Sequence, residues 1–315
     1  MQLRSVGTTG LKVSRLGLGA MTWGRDTDEH EARDQLIAFA EAGGTLLDTA
    51  AGYGNGASEE LIGSLLGDVV ARDEVVLATK AGISARSGGR EYNTSRGHLL
   101  TTLDASLARL GVDHVDLWQV HIWADDTPLE ETLSALDQAV SSGRVSYVGV
   151  SNYSGWQTAQ AATWQRAVPG RTPLACTQVE YSLLNRSAEQ EVIPASTALG
   201  LGVLPWSPLG RGVLTGKYRT GTPSDSRAAS PHFSGFVEPY LTDRGRGIVE
   251  AVARAADGLG WSPLEVALAW VRDRPGVTAP IVGARTAAQL RGALGIEELV
   301  VPPEINDALD DVSGD

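Results

Sequence analysis

Short apolar runs alternate with longer amphipathic segments along most of the chain. Eight runs have the length of a β-strand and are rich in Val, Leu and Ile; they cover residues 15–20, 45–50, 75–80, 115–121, 145–151, 174–181, 201–207 and 279–284. They lack strict polar alternation, which is typical of parallel strands covered on both faces. Helical patterns lie between or after them, at 28–44, 58–67, 94–111, 127–143 and about 155–166, 188–199, 244–258 and 286–294.

This alternation predicts an α/β fold, a (β/α)₈ TIM barrel, formed as a single domain over residues 1–315. A doubly wound sheet is the alternative, but it would need a glycine-rich fingerprint after an early strand. The segment "GLGAMTWG" at 17–24 does not fit that fingerprint. Two segments fall outside the repeat. Residues 1–14 predict an N-terminal β-hairpin, and residues 209–243 form a long loop after strand seven, of a length that is usually functional or disordered.

Composition narrows the function further. The net charge of −12 argues against non-specific binding to nucleic acid or to an anionic membrane. Cys176 is the one cysteine, so we expect neither an intramolecular disulfide nor a cysteine-based metal cluster, and we interpret it as a small buried residue. The chain begins without an apolar leader and has no membrane-length apolar run, so we expect a cytoplasmic protein.

Polar side chains stand where three neighbouring strands of the predicted barrel end. Strand two ends at Asp48, with Tyr53 in the next loop, and strands three and four end at Lys80 and His121. Active sites of such barrels form at these strand ends. A buried lysine needs a counter-charge, which Asp48 supplies, and an ammonium beside a phenol should lower the pKa of the phenol. With His121 to orient a carbonyl oxygen, the group predicts a metal-free proton donor to a developing alkoxide.

Several segments, in order along the chain, resemble the aldo-keto reductase superfamily. They are "GGTLLDTAAGYGNGASEELIGSLL", "VVLATK", "VDLWQVHIWADDTPLEETLSAL" and "GRVSYVGVSNYSGWQTAQA". The resemblance spans nearly the whole chain and is nearest to the bacterial reductases related to the potassium-channel β-subunit branch. It implies hydride transfer from a nicotinamide cofactor held without a Rossmann fold. It also implies a catalytic tetrad of Asp48, Tyr53, Lys80 and His121.

The same resemblance implies a set of cofactor contacts. They comprise Ser151, Asn152 and Gln178 on the carboxamide, Trp206 on the nicotinamide ring, Ser207, Leu209, Gly212 and Lys217 around the pyrophosphate, Gly283, Arg285 and Gln289 at the adenosine end, and also Trp23 and Asp48. Arg285 could pair with a 2′-phosphate, which favours NADP(H) over NAD(H). The chain departs from the family at Gly292 and Ala293, where members often carry a Glu-Asn pair facing the adenine.

The substrate pocket should be apolar and aromatic, walled by Trp23 and Trp123 beside Tyr53 and His121. We therefore expect an NADPH-dependent carbonyl reductase that acts reversibly on small aldehydes or ketones, with no nucleic-acid or membrane partner. A monomer is the expected state. One alternative is a cofactor-binding sensor or scaffold of the channel β-subunit type. Another is a non-redox barrel enzyme in which Lys80 forms a Schiff base.

Overall fold

A computed structural model of the chain describes residues 1–86, 89–223, 226–229 and 234–314. In chain order, its strands are β1 (Leu3–Ser5), β2 (Lys12–Ser14), β3 (Gly17–Gly19), β4 (Leu46–Asp48), β5 (Val76–Ala81), β6 (Ile83–Arg86), β7 (Gly89–Tyr92), β8 (Val115–Val120), β9 (Val145–Ser151), β10 (Leu174–Glu180), β11 (Gly202–Trp206) and β12 (Ile281–Val282). Eight of these, β3, β4, β5 and β8 to β12, form a closed parallel barrel, with β12 pairing back onto β3. The predicted TIM barrel and all eight of its strands are confirmed.

Helices cover the outside of the barrel. They are α1 (Glu29–Glu41), α2 (Ala57–Leu65), α3 (Arg96–Leu110), α4 (Leu129–Ser141), α5 (Gly155–Ala167), α6 (Val192–Ala198), α7 (Ser234–Val237), α8 (Asp243–Leu259), α9 (Pro263–Arg272), α10 (Ala287–Leu294) and α11 (Pro303–Ser313). The sequence patterns did not separate α9 or α11. Gly260, in the left-handed region at φ 70°, ends α8, and a capping box between Ser262 and Glu265 starts α9 directly afterwards.

The N-terminal hairpin of β1 and β2 is also confirmed, and it closes one end of the barrel. Thr8 donates its backbone N–H to the carbonyl of Gly200 at 2.9 Å, just before β11 begins. Val6 and Val13 of this segment pack with side chains from inside the barrel, including Leu46. The chemistry is therefore left to the opposite end, where the strands finish.

Along each barrel strand, successive side chains point alternately into the barrel interior and towards the surrounding helices. Leu46 belongs to the barrel interior, whereas Leu47 belongs to the layer between the barrel and its helices. Asp48, two residues after Leu46, therefore returns to the interior, because successive side chains of a strand point to opposite faces. The same alternation carries Lys80 inward on the neighbouring strand, two residues after Ala78.

The structure also contains elements that the sequence did not predict. β6 and β7 form a second antiparallel hairpin, directly after β5. The segment after β11 contains a 3₁₀ turn at Gly210–Thr215 and the short helix α7, while residues 224–225 and 230–233 of the predicted 209–243 loop lie outside the described residues. Among the described helices, none combines the length and apolar character needed to cross a bilayer.

Candidate active site

A buried ion pair lies at the carboxyl ends of β4 and β5. The ammonium of Lys80 donates to Asp48 Oδ2 at 2.7 Å and to the carbonyl of Thr49 at 2.8 Å, and the two charged side chains are 0% and 3% exposed. Gln178 donates to the other oxygen of Asp48 at 3.0 Å. Burial alone would lower the pKa of Lys80, but the charges of Asp48 and Tyr53 and its hydrogen bonds to them raise the pKa overall. The ammonium therefore stays charged.

Tyr53 and His121 lie beside this pair. Tyr53 opens a 3₁₀ turn, and the Lys80 ammonium lies 5.3 Å from the centre of its ring. The rings of Tyr53 and His121 meet edge to face, with centroids 5.8 Å apart and planes at 78°. The structure thus brings together all four side chains predicted to form the catalytic group.

The pKa of the Tyr53 phenol differs from the sequence expectation. Burial raises it, and although the ammonium of Lys80 acts in the opposite direction, the pKa stays above its ordinary value of 10.0. The ammonium of Lys80 alone would lower the pKa, as expected from the sequence, but the effect of burial is larger. A phenol of this kind is fully protonated at neutral pH, and it can still give its proton to an alkoxide, which is a much stronger base.

His121 is neutral over the same range. Burial, followed by the charge of Lys80, holds its pKa well below 6.5. Its Nδ1 atom is buried and has no hydrogen-bond partner within the described residues. A neutral imidazole carries one N–H donor and one acceptor nitrogen, so His121 can orient a carbonyl oxygen without adding a positive charge.

A second buried ion pair supports the turn that carries Tyr53, and the sequence analysis missed it. Glu59 is fully buried, accepts from Arg109 Nε at 2.8 Å and accepts from the hydroxyl of Thr79 at 2.5 Å. Gly56 ends the turn at φ 101°, and a Cβ there would lie 2.7 Å from Arg109 Cδ. Because Thr79 immediately precedes Lys80, this pair ties the Tyr53 turn to the lysine strand.

The residues predicted to hold a nicotinamide carboxamide form a connected group next to His121. Ser151 donates to the carbonyl of Gln178 at 2.9 Å, and Asn152 donates to the carbonyl of His121 at 2.9 Å. Trp206 donates from its indole to Asn152 Oδ1 at 3.0 Å. Asn152 adopts a positive φ of 58°, a conformation that asparagine tolerates better than most residues.

Trp206 also lies in a cation–aromatic cluster that the sequence analysis did not predict. Arg211 forms a bidentate ion pair with Glu180, in which two guanidinium nitrogens donate to the two carboxylate oxygens at 2.9 and 2.8 Å. The guanidinium also lies 3.7 Å from the centre of the Phe236 ring. Phe236 is stacked near Trp206 with 15° between the planes, and Tyr240 donates to Glu180 at 2.9 Å. Arg211 lies in the segment "SPLGRGVLTGKY" that follows β11, and the basic residue between two glycines was the available sequence signal.

The predicted pyrophosphate contacts lie on the turn after β11. Ser207 has a positive φ of 52°, and the backbone N–H of Gly212 donates to the carbonyl of Leu209 at 3.0 Å. A Cβ on Gly212, which has a φ of 91°, would lie 3.1 Å from Lys217 Nζ. The turn therefore places the ammonium of Lys217 close to the backbone of Gly212, which is half-buried.

The predicted adenosine contacts lie at the start of α10. The backbone N–H of Arg285 donates to Gln289 Oε1 at 3.0 Å, and Gly283 is exposed. The two positions where the chain departs from the family differ from each other. Gly292 is exposed with open space around it, whereas Ala293 is buried in the core. Ala293 therefore cannot face a ligand in this conformation.

The two tryptophans predicted to line the substrate pocket, Trp23 and Trp123, differ in how deeply they are buried. Trp23 is fully buried and donates from its indole to Gln35 at 3.2 Å, so in this structure it packs in the core, and its contact with a cofactor or substrate stays a prediction. Trp123 is half-buried at the rim, with ring centroids 5.2 Å from Tyr153 and 5.3 Å from Trp156. Trp156, which the sequence analysis did not select, is 59% exposed. At this part of the rim, the aromatic surface is therefore formed by Trp123 and by Trp156 at the start of α5.

The remaining expectations concern metals and Cys176. Over the described ranges, no group of three or more His, Cys, Asp or Glu side chains is arranged to hold a metal ion. Cys176 is fully buried, as predicted, and burial raises the pKa of its thiol to about 12. A thiol of this kind is not a nucleophile at neutral pH.

Comparison with known proteins decides the family. The model of the aldo/keto reductase family matches residues 15–313. The chain belongs to the aldo/keto reductase family.

Named relatives span almost the same length. An uncharacterized oxidoreductase YrpG of Bacillus subtilis is 39% identical, over 99% of this chain and 96% of that protein. A probable voltage-gated potassium channel subunit beta of Oryza sativa is 35% identical, over 97% and 95%. An L-glyceraldehyde 3-phosphate reductase of Escherichia coli is 35% identical, over 92% and 86%. The predicted resemblance, including the channel β-subunit branch, is confirmed, and the protein is an oxidoreductase whose family acts on small carbonyl compounds.

Proposed function

We propose that the protein is an NADPH-dependent carbonyl reductase, reducing aldehydes or ketones to alcohols reversibly, with Tyr53 as the general acid. The observation that carries this proposal is the arrangement at the barrel rim. A protonated phenol lies beside a buried ammonium, which is itself neutralised by Asp48, and against a neutral imidazole. This arrangement can supply one proton to an oxygen without a metal.

The residues present fit a nicotinamide cofactor. Ser151 Oγ accepts from Asn152 at 3.1 Å and donates to Gln178, which leaves one lone pair for a carboxamide N–H. The turn after β11 offers glycine backbone under the ammonium of Lys217, a combination suited to phosphate oxygens. Bound NADPH would supply the hydride that reduces the carbonyl carbon.

The protein's own residues then control the proton. The neutral imidazole of His121 orients the carbonyl oxygen towards the phenol, and Tyr53 gives its proton to that oxygen as negative charge develops. The fixed ammonium of Lys80 stabilises the phenolate that remains. Asp48 keeps the ammonium charged in a site where burial alone would favour its neutral form. In the reverse direction the phenolate accepts the alcohol proton.

Turnover tests this function directly. The purified protein is mixed with NADPH and a panel of small aldehydes and ketones, and the absorbance of the reduced nicotinamide is followed. We expect substrate-dependent oxidation of NADPH. Binding of NADPH without any turnover across the panel would contradict the proposal, and so would indifference to NADPH.

Cofactor preference has its own test. Arg285→Ala should weaken the binding of NADPH by about 1.5–3 kcal/mol, because a charge-assisted contact to the 2′-phosphate is lost. The binding of NADH, which has no such phosphate, should change much less. Fluorescence titration of both cofactors measures the two losses. Equal losses would show that Arg285 does not distinguish the cofactors.

A sensor or scaffold function is the second candidate, because the rice relative is named as a channel subunit. Tight NADPH binding without turnover would favour it. The third hypothesis, a Schiff base on Lys80, is disfavoured by the structure. Its amine is fully buried, has a raised pKa and donates to Asp48, whereas a nucleophilic lysine needs a lowered pKa.

A further inference from the structure

The second hairpin, β6 and β7, rises directly from the strand that carries Lys80. β6 begins at Ile83, only three residues after Lys80. Gly82 makes the transition at φ 112°, a conformation that favours glycine, and its carbonyl accepts from the backbone N–H of Asn93 at 3.0 Å. The hairpin is therefore closed at its base and anchored at the catalytic end of the barrel.

The base of the hairpin lies between Tyr53 and His121. On one side, the backbone N–H of His121 donates to the carbonyl of Ala81 at 2.8 Å, one residue before Gly82. On the other side, a Cβ on Gly52, the residue before Tyr53, would lie 2.7 Å from the carbonyl oxygen of Ile83. The hairpin thus contacts the two segments that carry the proposed acid and the imidazole.

Arg90 stands on this hairpin within reach of the site. In the hairpin, Ile83 pairs with Tyr92 at the base and Ala85 pairs with Arg90 two residues further along. The backbone of Arg90 therefore lies roughly 7 Å from the base of the hairpin. The residue is exposed, and within the described part of the chain it forms no salt bridge. Burial is the largest cause of the lowered pKa of His121, and the positive charge of Arg90 lowers that pKa further. Burial raises the pKa of Tyr53, and the charge of Arg90 acts against that rise.

The charge of Arg90 contrasts with its surroundings. The whole chain carries a net charge of −12, and the nearby cation, Lys80, is fully buried and neutralised by Asp48. An accessible guanidinium at the rim of such a site attracts anions and can hold a carboxylate or a phosphate with two parallel hydrogen bonds.

We propose that Arg90 is a specificity-determining residue that binds the anionic group of carbonyl substrates bearing a carboxylate or a phosphate. The proposal rests on the carbonyl reductase function proposed above and names the substrate class of that site. The carbonyl would lie between Tyr53 and His121, and the anionic group would point towards β7. The hairpin sets the distance between the two ends of the substrate.

Matched substrates test the proposal. We compare kcat/KM of the natural protein and of Arg90→Gln for 4-carboxybenzaldehyde against 4-nitrobenzaldehyde, and for glyceraldehyde 3-phosphate against glyceraldehyde. The substitution should lower kcat/KM at least about 10-fold for one or both anionic compounds, chiefly through KM, because a charge-assisted contact at a partly hydrated site is lost. The neutral compounds should change less than about 3-fold. A loss confined to one anion would show whether the site prefers carboxylate or phosphate.

Two variants serve as controls. Arg90→Lys, which keeps the charge, should restore part of the lost kcat/KM. Arg33→Gln removes an equal charge from the outer helix α1, where Arg33 pairs with Asp68, and should leave the ratio of anionic to neutral substrates unchanged. The same loss for neutral and anionic compounds, no loss for either anion, or an equal effect of Arg33→Gln would overturn the proposal.

A binding measurement separates this proposal from the proposed function. Isothermal titration of the NADP⁺ complex with 4-carboxybenzyl alcohol and with benzyl alcohol requires no turnover. If the natural protein reduces none of the aldehydes, the carbonyl reductase function fails. A preference for the anionic alcohol that Arg90→Gln abolishes would still support the role of Arg90, and equal affinities in both proteins would overturn it.

Discussion

Two ion pairs at the same end of the barrel, Asp48 with Lys80 and Glu180 with Arg211, are built in different ways. Asp48 and Lys80 lie on adjacent strands, 2.7 Å apart, with 3% and 0% of their side chains exposed. Glu180 and Arg211 are 2.8 Å apart, with 13% and 12% exposed, and Arg211 lies on a loop with a positive φ of 59°. The first pair is fixed by strand register, and the second fixes a loop.

This difference predicts different consequences of breaking each pair. The surroundings of Asp48 cannot move away, because β4 and β5 are hydrogen-bonded within a closed barrel. An unpaired charge there would stay buried, which is costly. Glu180 can be hydrated if the loop that carries Arg211 moves. We therefore expect the strand pair to affect both the proposed chemistry and the stability of the whole barrel, and the loop pair to affect the local order beside Trp206.

Lys80→Met should have the largest effect. It should lower kcat for aldehyde reduction at least about 10²-fold, because the general acid loses its electrostatic partner. It should also lower the free energy of unfolding by about 3–5 kcal/mol, because Asp48 is left buried without its counter-charge. Steady-state kinetics and urea unfolding measure the two losses.

The double variant Asp48→Asn with Lys80→Met is the matched control. Removing both charges should recover much of the lost stability, since no isolated charge remains, while activity stays low. If the single Lys80→Met variant is as stable as the natural protein, the ion pair does not have the buried, rigid character described above.

Arg211→Gln should have a smaller and more local effect. We expect the free energy of unfolding to fall by about 1–2 kcal/mol, because Glu180 can regain water. Proteolysis within residues 209–223 should become faster than in the natural protein. The same loop should respond to cofactor. Cleavage in the natural protein should slow with saturating NADP⁺, because phosphate contacts offset the entropy of ordering the loop, and Lys217→Ala should weaken that protection.

Equal proteolysis with and without saturating NADP⁺ would contradict a cofactor-clasping role for this loop. Arg219→Gln offers a control for the loss of one loop arginine, because Arg219 pairs with Glu250 at 2.7 Å on an exposed surface, with side chains 43% and 42% exposed. An exposed pair contributes little, so this variant should be cleaved at nearly the natural rate.

The pH dependence of stability tests the electrostatic surroundings of His121 alone. His121 has a folded-state pKa well below its unfolded value of about 6.5, so the unfolded chain binds a proton first as the pH falls. Its contribution therefore lowers stability below about pH 6.5, by at most about 1.4 kcal/mol per pH unit. Urea unfolding between pH 7 and pH 5 measures how steeply the free energy of unfolding falls with pH, and this fall should be less steep in His121→Gln than in the natural protein. The exposed His30 provides the control, and an equal reduction in His30→Gln would contradict the assignment.

The regular parts of the fold were predictable because their signals are local. Apolar runs and helical patterns located all eight barrel strands and most helices, and the alternation within β4 and β5 already places Asp48 and Lys80 on the inner face. The hairpin of β6 and β7 was missed because it is short and mostly polar. Its one signal was the glycine pair Gly88 and Gly89 in "SARSGGREY".

The chemistry of the site was less predictable than its residues. Strand ends and motifs could identify Tyr53, but the direction of its pKa shift depends on how deeply the ring is buried, which is a tertiary property. The burial of Trp23 against α1 has the same origin, since loop residues near an active end can also fill the core. The Glu59 pair with Arg109 joins two helices far apart in sequence, so no local pattern reveals it.

The most direct test of the account is the turnover of Tyr53→Phe. This substitution removes only the phenolic oxygen and keeps the ring against Lys80 and His121. We predict that kcat for aldehyde reduction falls at least about 10²-fold, the usual scale for the loss of a general acid, while the Kd for NADPH and the free energy of unfolding stay close to those of the natural protein. Near-normal turnover in a folded, NADPH-binding Tyr53→Phe variant would contradict the assignment of Tyr53 as the proton donor.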